Sequence, residues 1–138
     1  MSASPFHYAF LVRDIAESRR FYCGLLGCAE GRSTDTWMDF DFFGNQLSAH
    51  LGQPNDSGHT GTVDGVKVPM PHFGALVGWD EFPGLAERLK QGGARFVIEP
   101  RLRYEGRTGE QMTMFFLDPS GNPIEIKAFR RPSEVFAV

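Results

Sequence analysis

"HYAFLVRDIAESRRFYCGLLG" (residues 7–27) and "HFGALVGWDEFPGLAERLKQGG" (residues 72–93) are two versions of one pattern. Each opens on a histidine, runs through a short apolar strand to Val12 or Val77, and reaches an aspartate that can cap a helix. His7 and His72 stand 65 residues apart, and a repeat of that size fixes the architecture before any single residue does. In the first copy Asp14 and Glu17 have the D-x-x-E spacing of a capping box, and Ile15, Tyr22, Leu25 and Leu26 recur at helical spacing until Gly27 stops the helix. In the second copy Asp80 is the expected cap. Pro83 falls in the first turn, where a missing N–H does no harm, and Phe82, Leu85, Ala86 and Leu89 form the stripe to be buried before Gly92-Gly93.

Beyond each helix the pattern changes to strands, at about 28–34, 36–43 and 46–51, then at 94–99, 112–118 and 123–129. That is βαβββ twice, an α+β fold. Module one covers about 5–52 and module two about 70–130, joined by a polar, Gly-rich linker at 53–69, all within a single domain of residues 1–138. "PRLRYEGRTGEQ" (100–111) lies where the first half has only a tight connection, and reads as a mobile loop that closes over a ligand.

The 17 acidic and 14 basic residues leave no dense cationic block, which argues against a nucleic-acid partner. No apolar run is long enough to span a bilayer, and the start "MSASPFHYAF" lacks a basic, then apolar, leader, so no membrane is expected and a cytoplasmic location follows. Cys23 and Cys28 have a C-x4-C spacing that fits neither a redox pair nor a zinc knuckle, and read as reduced packing residues.

Alternation along the strands puts His7, Ala9 and Leu11 on one face and His72, Gly74 and Leu76 on its counterpart. "GNQLSAHL" (44–51) and "GNPIEIKAF" (121–129) align through Gly-Asn, which makes Ser48 the counterpart of Glu125 and His50 that of Lys127. Glu125, flanked by Ile124 and Ile126, either faces water or is paired, hydrogen-bonded or metal-bound, because a bare buried carboxylate is costly. Either histidine alone suits a core position bonded to backbone. Two histidines in one register of two repeats, together with Glu125, form a sensible set for a divalent transition metal that keeps open positions.

These residues, with "FLDPSGNPIE" (116–125), give the chain a pattern that resembles the vicinal oxygen chelate superfamily: glyoxalase I, extradiol dioxygenases, methylmalonyl-CoA epimerase, and fosfomycin and bleomycin resistance proteins. The resemblance covers about residues 5–130. It implies a cup-shaped mixed sheet, a small-molecule substrate and a homodimer, with the cup completed within one chain or across two. It also implies His7, His72 and Glu125 as metal ligands in the dioxygenase pattern, with Fe(II) favoured and Mn, Zn or Ni as alternatives. The fourth ligand of glyoxalase I would fall at Ser48, which cannot serve as that carboxylate.

By the same resemblance His50 is the candidate acid/base, a fourth ligand, or a solvated strand-end residue. Arg103, Tyr104 and Arg107 crowd one loop, where they could meet an anionic substrate or simply be solvated. Two dioxygenase features are missing. Gly106, Arg107 and Thr108 occupy the window of the usual catalytic His, and Phe115 stands in place of Tyr. The leading expectation is therefore a metal-dependent enzyme, dioxygenase-like in its ligands, acting on vicinal oxygens. A glyoxalase- or epimerase-like lyase or isomerase and a non-catalytic ligand-binding protein of the bleomycin-resistance type are the alternatives.

Overall fold

The computed structural model describes residues 4–54 and 56–138, which divide into two compact units. One is Met1–Asp56 with Asp118–Asn122, the other Ser57–Leu117 with Pro123–Val138. In the first unit β1 (His7–Val12) leads into α1 (Ile15–Arg19), which widens into a π-helical stretch at Arg20–Leu25, followed by β2 (Ala29–Ser33), β3 (Trp37–Phe42) and β4 (Asn45–Leu51). The sheet order is β1-β4-β3-β2, with β1 parallel to β4 and the other pairs antiparallel.

The second unit adds a hairpin, β5 (His59–Val63) and β6 (Val66–Met70), before repeating the plan: β7 (Phe73–Leu76), α2 (Phe82–Gln91), β8 (Arg95–Arg103), β9 (Gln111–Leu117) and β10 (Pro123–Phe129). Its sheet order is β7-β10-β9-β8, with β7 parallel to β10. The α+β reading with two βαβββ passages holds.

Alternation explains the cores. Phe10, Val12, Met38, Phe40, Phe42, Leu47 and Ala49 are buried on one face of the first sheet, where Tyr22 packs on Phe40 at 4.7 Å between ring centroids. On the second sheet Met114, Phe116, Ile124, Ile126 and Ala128 are buried, as are Phe82, Leu85, Ala86 and Leu89 of α2. Both Gly-Asn strings are turns with the glycine at φ 90°, a left-handed conformation that side chains resist, and this is why Gly44 and Gly121 precede β4 and β10.

Asp14 caps α1 as expected, its Oδ1 accepting the Glu17 N–H at 2.7 Å, while Glu17 turns its carboxylate to Arg13. Asp80 does not cap α2. That place falls to Glu81, with no side-chain cap bond, and Pro83 lies at the second helical position. The segment 53–69 is not only a linker. Its second part forms the β5–β6 hairpin, whose Val63, Val66 and Val68 pack with Val97, Ile98 and Phe115.

The segment 100–111 also departs from the loop reading. β8 runs to Arg103, and the turn beyond is tied down by Glu110 and Glu134, which accept the N–H groups of Gly106 and Gly109. Glu110 is buried against Arg130, at 3.2 Å. The Asp-Pro-Ser-Gly-Asn turn belongs to the first unit. Asp118 accepts the N–H groups of Ser120 and Asn122 and the hydroxyl of fully buried Tyr22, at 2.8–2.9 Å, and Asn122 donates to the Leu11 carbonyl. Among the described residues no helix is long and apolar enough to cross a membrane.

Candidate metal site

In the second unit β10 carries Glu125 opposite Gly74 of β7 and Phe115 of β9. His72, just before β7, brings Nε2 to 3.4 Å from Glu125 Oε1, and the two side chains are 18% and 12% exposed. The other carboxylate oxygen, Oε2, accepts the Thr113 hydroxyl at 2.7 Å. The His72 ring lies edge-on to Phe115, at 4.7 Å, and its Nδ1 is 2.8 Å from the Pro69 carbonyl on β6. A carbonyl can only accept, so Nδ1 carries the proton and Nε2 presents a lone pair. Two lone-pair atoms thus face each other at 3.4 Å. That contact repels unless a cation answers it, either a second proton on the imidazole or a metal ion taking both donors. An imidazole nitrogen beside a carboxylate oxygen is a donor set that Mn, Fe, Ni and Zn all accept.

His7 stands exposed at the start of β1 in the first unit. Its Nδ1 is 2.9 Å from Gln46 Oε1, so Gln46 holds the ring as Pro69 holds His72 and leaves Nε2 to point away from the bond. The structure therefore brings His72 and Glu125 together and gives His7 a matching tautomer in its own unit. Among the described residues no three His, Cys, Asp or Glu side chains are gathered as a metal-holding group.

Ser48 lies opposite Ala9, as Glu125 lies opposite Gly74, which confirms the register equivalence of the two halves. It is buried and donates to Asp39 Oδ1 at 2.5 Å. His50 is exposed between Leu11 and Trp37 in the sheet, its ring stacked on Trp37 at 6.4 Å. Arg103 is committed elsewhere. Its Nη2 bonds to Asp64 Oδ1 at 3.2 Å and its Nε stands 2.6 Å from Asp64 Oδ2, a charge contact without the alignment of a hydrogen bond. The Tyr104 ring receives Arg103 and Arg107 at 4.8 and 5.7 Å, so these three residues engage one another.

The groups missed in the sequence are the partners: Pro69, Thr113, Gln46 and Asp39. Gln46 and Asp39 had a signal in the strict alternation of "WMDFDF" and "NQLSAH", which puts Trp37, Asp39, Asp41, Gln46 and Ser48 on the face of His7. Thr113 and the Pro69 carbonyl had none, because they depend on pairings between distant strands and on an unforeseen hairpin.

Comparison places this fold among known proteins. A structure of a glyoxalase/bleomycin resistance protein/dioxygenase from Alicyclobacillus acidocaldarius is 32% identical, covers 96% of both chains and superposes with a TM-score of 0.76. The fosfomycin resistance protein FosX from Listeria monocytogenes shares the fold at 20% identity, over 98% of this chain and 100% of its own, with a TM-score of 0.70. A mutant of that protein, complexed with Mn(II) and 1S,2S-dihydroxypropylphosphonic acid, is 18% identical over 91% of this chain and 90% of its own, with a TM-score of 0.65. No curated protein sequence matches the chain significantly. The family model for the Glyoxalase/Bleomycin resistance protein/Dioxygenase superfamily matches residues 4–126, and the chain belongs to that superfamily.

Proposed function

We propose that the protein is a divalent-metal-dependent enzyme acting on a small molecule whose neighbouring oxygens chelate the metal. Its ligands would be His72, Glu125 and His7, the last from the same chain or from a second copy in a homodimer. The observation that carries this reading is the His72 Nε2 to Glu125 Oε1 contact, two lone-pair donors at 3.4 Å with both remaining polar atoms already bonded, to Pro69 and Thr113. Such bonding beyond the donor atoms is how proteins orient metal ligands. The Mn(II) complex of a fold relative agrees with it. The two-histidine, one-carboxylate set is that of the dioxygenase branch, and Fe(II) is the metal it favours.

When bound, the metal supplies Lewis-acid polarisation of the substrate oxygens and, as Fe(II), access to redox chemistry. The chain's own part is positional. Pro69 and Gln46 fix the imidazoles, Thr113 fixes the carboxylate, and His50 is the proposed proton donor on the His7 face.

The test is metal titration of protein purified without a metal-affinity tag. Anaerobic addition of Fe(II), and in parallel Mn(II), should saturate at one ion per chain, and His7→Ala, His72→Ala and Glu125→Gln should each abolish stoichiometric binding while the fold persists. Full occupancy in the His72 and Glu125 variants would overturn the site.

A further inference from the structure

On its own sheet Glu125 has a neighbouring row whose charge is not answered among the described residues. Lys127 stands two residues along β10 from Glu125 and shares its face, about 7 Å away at the strand rise. Its register partners are Leu76 of β7 and Thr113 of β9, and Thr113 is in turn opposite Arg101 of β8. Leu76, Lys127, Thr113 and Arg101 therefore form one row across the sheet. Its two cationic residues flank a threonine whose hydroxyl is spent on Glu125. All four strands lie in the second unit.

Two observations separate this row from an ordinary solvated edge. Lys127 is half-buried, and its ammonium has no bond or ion pair among the described residues. Arg101 is only 33% exposed; its Nη2 donates to Asp64 Oδ2 at 3.0 Å, but its Nε is buried with no acceptor. Asp64 must answer Arg103 as well, at 2.6 Å, so one carboxylate serves two guanidinium groups. With Lys127 that leaves two positive charges unanswered among the described residues. Cationic donors held partly out of water without an acceptor cost stability until one arrives. The fold does not demand the charge. The equivalent row of the first unit is Leu11, His50 and Trp37, where the ring of His50 stacks on Trp37.

We propose that Lys127 and Arg101 bind a carboxylate of the substrate, which is therefore a small acid carrying that group beyond its metal-chelating oxygens. Their backbones stand two strand spacings apart, about 10 Å, and both side chains are long enough to close on a group held over Thr113. Two donors, Lys127 Nζ and Arg101 Nε, meet the two oxygens of a carboxylate, and such charge-assisted bonds are stronger than neutral ones. The metal reading above is needed only for the chelated end of the substrate, and the cationic row stands without it.

The probe is malate, whose hydroxyl and neighbouring carboxylate chelate and whose second carboxylate is free, against lactate, which has the same chelating end and no second carboxylate. Dissociation constants on the Mn(II)-loaded protein are measured by calorimetry at fixed ionic strength, with Mn(II) stoichiometry and melting temperature read on the same samples. Malate should bind about tenfold or more tightly than lactate, the scale of a hydrogen bond to a charged group. Lys127→Met and Arg101→Met keep the apolar stems. Each should remove most of that preference and leave lactate affinity and Mn(II) content unchanged, while Lys127→Arg should retain the preference in part. Should Arg101→Met loosen the hairpin, as a fall in melting temperature would show, Lys127→Met alone decides. Equal affinity for the two acids, or a malate preference that survives Lys127→Met, overturns the carboxylate site and leaves the metal reading standing. Failure of the wild type to bind Mn(II) sinks the metal reading instead, and the row is then tested on the metal-free protein with succinate. Saturable binding that is lost in Lys127→Met upholds it, and no binding overturns it.

Discussion

Gly74 lies opposite Glu125 in the parallel pairing of β7 with β10, so close that a Cβ at residue 74 would stand 1.6 Å from the Glu125 carbonyl oxygen. No side chain fits there. The glycine lets β7 close on β10 and so brings His72, two residues earlier, up to the Glu125 carboxylate.

Gly74→Ala must therefore part the two strands. The expected cost is about 1–3 kcal/mol, the range for overpacking a tight contact, and Mn(II) affinity should fall because His72 moves away from Glu125. A denaturant midpoint and a metal titration check both. Wild-type affinity in a variant that is measurably destabilised would separate the strand contact from the site.

Thr113 holds Glu125 Oε2 and leaves Oε1 to face His72. Thr113→Val keeps the shape and removes the donor. Mn(II) affinity should fall about tenfold or more, as for other bonds behind metal ligands, and Thr113→Ser should restore it. A purely structural threonine would give the opposite order, since valine fills the space and serine leaves a gap.

Asp118 supplies a pH dependence. Burial raises its pKa above the ordinary 3.8, and the bonds from Asn122, Tyr22 and Ser120 only partly offset that. The folded chain thus holds the proton more tightly than the unfolded one. The contribution of Asp118 is fully present below pH 3.8 and declines as the pH rises through the folded value. Urea midpoints across that window should show this decline in the wild type and not in Asp118→Asn, with other carboxylates cancelling in the difference. A difference that stays flat or rises with pH would contradict it.

The repeat made the two βαβββ passages legible because His7 and His72, the helix stripes and the Gly-Asn turns are local patterns, each set by spacing within some twenty residues. The equivalence of Ser48 and Glu125 followed from the same alignment, and the strand registers agree with it. The β5–β6 hairpin escaped because "HTGTVDGVKVPM" has a low apolar content and covers Phe115 through a few valines only. Arg103 looked available for a substrate because its partner, Asp64, lies in that hairpin. Asp39 was legible in the alternation of β3. What it bonds to was not.

The turn at 118–122 is encoded in the second half of the chain yet counted within the first unit, through Tyr22, Arg13 and Leu11. The boundary of the repeat in the sequence is therefore not a seam along which the protein can be divided. A fragment ending at residue 56 would seal the Tyr22 hydroxyl in its core with no carboxylate to receive it, and the remaining piece would carry a turn whose partners had gone. Each half of the repeat, cut from the other, is therefore an incomplete protein.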